Sequence, residues 1–266
     1  MDLDHARAVA VDAAQAAGAL LLAGTGGAIG VRPKGGSGDV VTDLDLASEK
    51  LLLERILTAF PSHAVIAEES GLLGASGGEW TWLVDPLDGT NNVAIGLPAY
   101  VVGLALCRGG RPQLGVVHDP VTAQTWSAIR GRGAVTSSGR RLIASHRPSR
   151  HGPLLAWTQG YTVSRSDATV RSLKAALELS ARRVLQLWAP LLSWAMLARG
   201  DIDGMVGYRA EAVDLPAGAL IAQEAGIEIR ALDGGPFEES IDGTADDRSF
   251  VAAHPHALPG LLALIR

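Results

Sequence analysis

The sequence predicts a layered chain of mixed α and β structure, with an N-terminal α+β part and a C-terminal α/β part. Three observations predict it. A proline-free segment rich in Ala and Leu opens the chain, and a second helical segment follows. Short apolar runs of strand length come next, between residues 65 and 117. Beyond residue 152, helical segments and strand runs alternate, the pattern of an α/β layer. Hydrophobic residues make up 47% of the 266, enough to bury a sizeable core.

The elements read as follows. Residues 4–23 form a helix that stops at Gly24, Gly26 and Gly27. Lys34-Gly35-Gly36-Ser37-Gly38 is a flexible loop. Residues 43–59 form a helix, with Leu46, Leu53 and Ile56 among its apolar positions, ended by Phe60-Pro61. Val65-Ile66-Ala67 and Trp82-Leu83-Val84 read as buried strands. Residues 101–106 and 114–117 are two more, separated by the turn Gly109-Gly110-Arg111-Pro112. Further on come a helix at 167–179, a strand near Val184, a helix at 191–198 and a strand near Met205. A helix at 214–225, strands at 227–229 and 250–252, and a terminal helix complete the chain. The polar run 145–152 suggests a boundary, giving a subdomain over 1–146 and another over 147–266. There is no internal repeat and no low-complexity tract.

The formal net charge of −5 argues against a nucleic-acid partner, which is usually met by a basic surface. A single cysteine, Cys107, allows no internal disulfide and reads as a small buried hydrophobe. The start Met1-Asp2-Leu3-Asp4 is acidic, unlike a signal peptide. No apolar stretch approaches the roughly 18 residues of a membrane span. The expectation is a cytoplasmic protein with no membrane partner.

The chemistry-bearing segment is Trp82-Leu83-Val84-Asp85-Pro86-Leu87-Asp88-Gly89-Thr90-Asn91-Asn92. Two carboxylates sit three apart at the end of an apolar strand, and Pro86 makes the chain turn there. Buried carboxylates are costly unless neutralised, and a hard divalent cation with oxygen ligands, magnesium above all, would neutralise them. N–H groups around Gly89 and Thr90 could receive a phosphate. The plain alternative is an Asp-Gly turn with a capping aspartate.

Three other segments carry acids. Glu68-Glu69-Ser70 ends a strand, where adjacent glutamates are usually solvated; Glu68 could instead ligate a metal and act as a base toward water. Asp39-Val40-Val41-Thr42-Asp43-Leu44-Asp45 leads into a helix that Thr42 or Asp43 could cap. Capping accounts for one acid but not for three, and Asp45 would face back toward the loop. Asp214, with Pro216 two residues on, matches an ordinary helix start. Taken together, four loops each put a carboxylate at a strand end or helix start, the way an α/β framework builds a multi-metal phosphate site.

Asp85-Pro86-Leu87-Asp88-Gly89-Thr90 resembles the signature of the inositol monophosphatase family. That family belongs to the lithium-sensitive, magnesium-dependent phosphatase superfamily that includes fructose bisphosphatase. The other blocks follow in the family's order: Lys34, Asp39-x-Val41-Thr42-x-x-Asp45, Glu68-Glu69-Ser70, and Asp214 with its Ala/Gly-rich helix. The likeness spans roughly residues 30 to 230. It implies an α/β/α/β/α sandwich of the sugar-phosphatase type, commonly a homodimer, hydrolysing a small-molecule phosphate ester with two or three Mg2+ ions per site. It implies that Glu68, Asp85, Asp88, the Leu87 carbonyl and Asp214 bind the metal. Thr90 would position a water, paired with Asp45 and assisted by Glu68. Gly89 and Thr90 would hold the phosphate, alongside Asp88 and Asp214.

The likeness breaks at the substrate walls. A small-residue segment of many inositol phosphatases is matched here by Leu187-Trp188-Ala189-Pro190, so Trp188 would reshape that wall unless it turned into the core. The family often has a glutamate seven residues before the last aspartate; here that position is Gly207. Tyr208 and Arg209 then offer a different wall, with Arg209 able to meet an extra anionic group. This opens the substrate to inositol-like, sugar, cyclitol, histidinol or 3′-nucleotide phosphates. The main competing reading is a non-catalytic or regulatory family member acting through a macromolecular partner. A nucleotide-binding loop at Gly35-Gly36-Ser37-Gly38 lacks the Lys-Ser/Thr ending, and the seven histidines show no zinc-protease spacing.

Overall fold

The computed structural model describes residues 1–35, 38–74, 78–145 and 151–265. Helix α1 (Leu3–Gly24) starts at Asp2, whose carboxylate accepts the N–H groups of Asp4 and His5 at 2.9 and 3.2 Å. Strands β1 (Val31–Lys34) and β2 (Asp39–Thr42) pair antiparallel. Sequence reasoning made this stretch loop and linker, because these strands carry no buried apolar run; the Gly36-Ser37 part of the expected loop lies outside the described residues. Helix α2 (Asp43–Ala59) follows Thr42, which forms a capping box with Asp45.

The next strands are β3 (Ala64–Ala67), β4 (Gly71–Gly74) and β5 (Trp80–Asp88), which leads into the short helix α3 (Thr90–Ala94). A meander follows: β6 (Val101–Arg108), β7 (Arg111–Asp119), β8 (Gln124–Ile129), β9 (Gly133–Thr136) and β10 (Arg141–Leu142). The C-terminal part holds β11 (Leu154–Gln159), α4 (Ala168–Ser180), β12 (Arg183–Leu185), α5 (Pro190–Arg199) and β13 (Gly204–Tyr208). It ends with α6 (Pro216–Glu224), β14 (Glu228–Ala231), β15 (Phe250–Ala253) and α7 (Leu258–Leu264). Strands β4 and β8 to β11 were absent from the sequence reading. Several are short, and β9 and β10 sit among glycines and arginines that hide the alternation.

Eight strands form one sheet in the order β10-β9-β8-β7-β6-β5-β3-β4, and five form a second, β12-β11-β13-β15-β14. Helices α1 and α2 pack on one face of the large sheet, over a core containing Ala10, Leu52, Trp82 and Leu104. Helices α5 and α6 lie between the two sheets, where Trp194, Leu220, Val117 and Phe250 share a core. Helices α4 and α7 cover the outer face of the small sheet. The layers therefore run α/β/α/β/α, as the resemblance implied. The expected boundary near residue 146 falls on residues 146–150, outside the described part.

Three sequence readings need correction. The buried stripe of α2 is Asp45, Ser48, Glu49, Leu52 and Ile56, whereas Leu46 is exposed. The stripe's first turns are polar because they look toward the site, while Leu52 and Ile56 further along pack into the apolar core. Pro86 does not turn the chain: β5 runs through it to Asp88, with an irregularity in its pairing to β6 between Asp85 and Asp88 that absorbs the missing N–H. Finally, α1 is long and apolar enough, by length and composition, to cross a membrane. In this fold its small-residue face, Ala6 to Leu21, is buried against the large sheet and α2, as in a core helix.

Candidate active site

Asp85, Asp88 and Asp214 come together where β5 ends and the chain enters α6. One carboxylate oxygen of each lies within 4.8 Å of the others. Asp85 and Asp88 are buried and Asp214 is half-buried. The Asp85 carboxylate accepts the N–H of Leu87 at 3.1 Å, which fixes its orientation across the irregular step of β5. Asp214 does not cap α6: that helix starts at Leu215-Pro216 with no side-chain cap, so the helix-start reading of Asp214 fails and its carboxylate is left to the cluster.

Asp88 has a second attachment that no local pattern announced. One of its oxygens accepts the N–H groups of Leu191 and Leu192, at 2.8 and 3.2 Å. These are the first donors of α5, whose own N-cap, Ala189, offers no side-chain acceptor. A carboxylate about a hundred residues away in sequence thus caps this helix, with the dipole favouring its negative charge.

Thr90 opens α3 behind the cluster. Its hydroxyl faces two acceptors, Asp45 Oδ1 at 2.7 Å and the Leu87 carbonyl at 2.9 Å. The other Asp45 oxygen accepts the Thr42 N–H at 2.8 Å and, in a short contact, the Thr42 hydroxyl. Asp45 is fully buried, so it serves the site through Thr90 rather than by lining the cleft. Gly89 must be glycine: its φ is +109°, and a Cβ there would sit 2.7 Å from the Ala99 carbonyl oxygen.

Glu68 and Glu69 are not simply solvated. Lys34, at the end of β1, reaches both, at 3.0 and 2.8 Å. Buried Glu49 holds the same segment from below, accepting the Glu69 N–H at 2.8 Å and the Ser70 hydroxyl at 2.5 Å. Ser48 donates to the Pro86 carbonyl at 2.8 Å. The helical spacing of Asp45, Ser48 and Glu49 within the Leu52/Ile56 stripe was the available signal for this support, since polar residues at buried helix positions need partners.

The cleft has a volume of about 430 Å3. Glu68, Asp85, Leu87, Asp88, Gly89, Thr90, Trp188 and Asp214 all line it, as do Asp39, Tyr161 and Glu211. Sequence reasoning missed Tyr161. Glu211 accepts the Tyr161 N–H at 2.9 Å and so ties the loop after β11 to the rim.

Arg209 is not among the lining residues. Its guanidinium donates to Asp246 at 2.6 Å, outside the cleft, and Tyr208 is buried on β13. Gly207 explains the missing family glutamate: a Cβ there would come within 2.2 Å of the Phe250 ring, so no side chain fits. Trp188 is on the wall, 51% exposed, and not in the core. Cys107 is buried in β6, its thiol pushed up to about 12 by burial.

The electrostatics of the cleft show a deficit of positive charge. Burial raises Asp85, Asp88 and Asp214 well above the ordinary carboxylate range, and their mutual repulsion and that of Glu68 push the same way. Burial likewise raises Glu68, to about 7, against the pull of Lys34. Asp45 is also raised by burial, with its Thr42 and Thr90 hydrogen bonds opposing. Burial works against the charge on Lys34, but Glu68 and Glu69 outweigh it and hold the ammonium above its usual value. Among the described lining residues Lys34 is the only cation, and it serves the glutamates rather than the three aspartates. Three converging carboxylates without a cation of their own, together with the carbonyl of Leu87, form a hard oxygen donor set that fits Mg2+.

Comparison with known proteins agrees with this geometry. The model of the family described as "Inositol monophosphatase family" matches residues 2–266. A Putative Nus factor SuhB of Neisseria meningitidis serogroup B is 33% identical over 260 residues, covering 96% of each chain. The crystal structure of extragenic suppressor protein suhB from Bartonella henselae superposes with a TM-score of 0.86 at 26% identity, over 97% of each chain. An inositol monophosphatase structure from Anabaena (Nostoc) sp. PCC 7120 gives 0.84 at 29% identity, over 100% of this chain and 96% of that one.

Proposed function

The chain belongs to the inositol monophosphatase family, and on that premise we propose that it is a magnesium-dependent phosphatase of a small phosphate monoester. The observation that carries the proposal is the convergence of Asp85, Asp88 and Asp214 in a cleft that also holds Glu68 and Thr90. Magnesium held by Asp85, Asp88, Asp214, Glu68 and the Leu87 carbonyl would cancel the repulsion between a phosphate dianion and incoming water and would stabilise the leaving alkoxide.

The chain's own groups supply the rest. The Thr90 hydroxyl spends its single hydrogen on Asp45 or Leu87, so its lone pairs remain to accept a hydrogen bond from water. Asp45 fixes the rotation of that hydroxyl and can take up a proton through it. Glu68 is the base toward that water: its raised proton affinity belongs to the metal-free site, and a bound cation would hold the carboxylate ionised and ready to accept a proton. The backbone N–H groups of Gly89 and Thr90 hold the phosphate oxygens, with glycine allowing the close approach. The water oxygen attacks phosphorus in line, the bond to the alcohol oxygen breaks, and the alcohol and inorganic phosphate leave. The transition state is loose, so alignment and charge cancellation dominate. A homodimer and a cytoplasmic setting belong to the same reading.

The test is phosphate release from inositol 1-phosphate, histidinol phosphate, fructose 1,6-bisphosphate, adenosine 3′,5′-bisphosphate and an aryl phosphate, with magnesium or EDTA. Magnesium-dependent release from one of them is expected; none from any would remove the reading.

The relatives named Nus factors favour a second reading, in which the chain acts through a macromolecular partner. In that case Asp88→Asn, inactive toward every ester, would still supply the chain's role in its own cells.

A further inference from the structure

We propose that the alcohol part of the substrate carries a flat, conjugated and uncharged ring, and that Trp188 selects it by stacking. This rests on the phosphatase reading and narrows its substrate class.

A second cavity of about 300 Å3 adjoins the acidic cleft. The two share Tyr161, Trp188, Pro190 and Asp214 as walls. A phosphate ester seated at the aspartates therefore has this space beside it for its alcohol.

Trp188 stands at the junction in an unusual state. Its φ is +52°, a left-handed conformation that bulky side chains rarely adopt. The backbone is pinned on both sides. The Leu187 carbonyl accepts from Asn92 Nδ2 at 2.5 Å, and Ala189 is buried. Pro190 opens α5, whose next two N–H groups are held by Asp88. The pinning turns a large indole outward, 51% exposed, rather than into the core one residue away. Strain of this kind, kept beside a site, points to a use for the side chain it displays.

The remaining lining sets an aromatic floor beside neutral hydrogen-bonding groups, Asn91, Thr158, Gln186 and Ser193, which can meet polar atoms on a ring's edge. Trp157 is buried beneath the cavity, and its indole N–H is already given to Gln159 Oε1 at 3.1 Å. Asp214 is the only carboxylate among the described lining residues, and it belongs to the aspartate cluster. Arg165 is the only cation among the described lining residues and disfavours a positively charged ring. An aromatic face, by contrast, gains on tryptophan by stacking whatever its edge carries.

The experiment compares 2-phenylethyl phosphate with 2-cyclohexylethyl phosphate, using the full chain with magnesium. The two leaving alcohols are alike in chemistry and size and differ in the flat ring. The expected kcat/KM ratio is about three- to tenfold in favour of the phenyl ester, carried mainly by KM. In Trp188→Leu the ratio falls to near one, and in Trp188→Phe part of it returns. Equal kcat/KM for the two esters in the wild-type chain, with clear magnesium-dependent turnover, overturns the stacking proposal and leaves the phosphatase reading standing. An unchanged ratio in Trp188→Leu also overturns it. No turnover of either ester, nor of the wider panel, brings down both readings together.

Discussion

Replacing Asp88 separates its two jobs. One oxygen caps α5 through Leu191 and Leu192, and the carboxylate also belongs to the three-aspartate cluster. Asp88→Asn keeps an oxygen that can accept both N–H groups, while removing one negative charge from the cluster. In EDTA at pH 8 this variant should therefore be at least as stable as the wild type, because burial and Asp214 already work against the charge. Asp88→Ala relieves the same repulsion but strands both N–H groups at the start of α5. Loss of a cap costs about 1–2 kcal/mol, and hydrogen bonds to a charged group lie at the upper end of the usual range. The alanine variant should then lie about 2 kcal/mol below the asparagine variant, or about 4 °C in Tm for a domain of this size. Magnesium at about a hundred times its Kd should raise the wild-type Tm by about 5 °C, from about 2.7 kcal/mol of binding. It should raise that of either variant far less. Phosphate release should fall by several orders of magnitude in both variants. Scanning calorimetry with and without EDTA, beside the release assay, reads all of this. Equal Tm for the alanine and asparagine variants in EDTA would refute the capping account. Near-normal turnover by a folded Asp88→Asn would take Asp88 out of the mechanism.

Three further outcomes follow from the same geometry. The folded-state pKa values of Asp85, Asp88 and Asp214 are raised above the ordinary 3.8, and that of Glu68 to about 7, so the metal-free fold holds protons that the unfolded chain releases. Their contribution is fully present below the unfolded values and is lost as pH rises through the raised ones. Magnesium should thus raise Tm more at pH 8 than at pH 5, and an equal rise at both would refute the assignment. Thr90→Val should lower kcat by about 10²–10⁴ with a smaller effect on KM, since it removes the hydroxyl that links Asp45 to water; a change confined to KM would count against that role. Glu49→Ala strands the Glu69 N–H and the Ser70 hydroxyl and should cost about 2–4 kcal/mol in denaturant unfolding, with Glu49→Gln losing less. Equal losses in the two variants would show that the carboxamide cannot replace those bonds.

Much of the layered fold was legible in the chain. The alternation after residue 152 marked the C-terminal layer because helix and strand periods differ in sequence. The hexapeptide from Asp85 to Thr90 was legible because strand end, carboxylates and glycine are contiguous. Strands β1, β2, β9 and β10 were not, because their exposed or half-buried residues follow no apolar alternation. Arg209 looked like a recognition residue because nothing in the local pattern reveals Asp246 waiting for it.

The sequence by itself determined the main helices, the Thr42 cap of α2, the strand that carries Asp85 and Asp88, and the set of acids available to a cation, since each depends on neighbours a few residues away. Only the tertiary structure decided which acids meet, that Asp88 caps a helix a hundred residues on, that Lys34 claims Glu68 and Glu69, and that Trp188 faces the cleft. Those outcomes depend on which layers pack together and what each buried charge finds opposite it, and no local spacing encodes either.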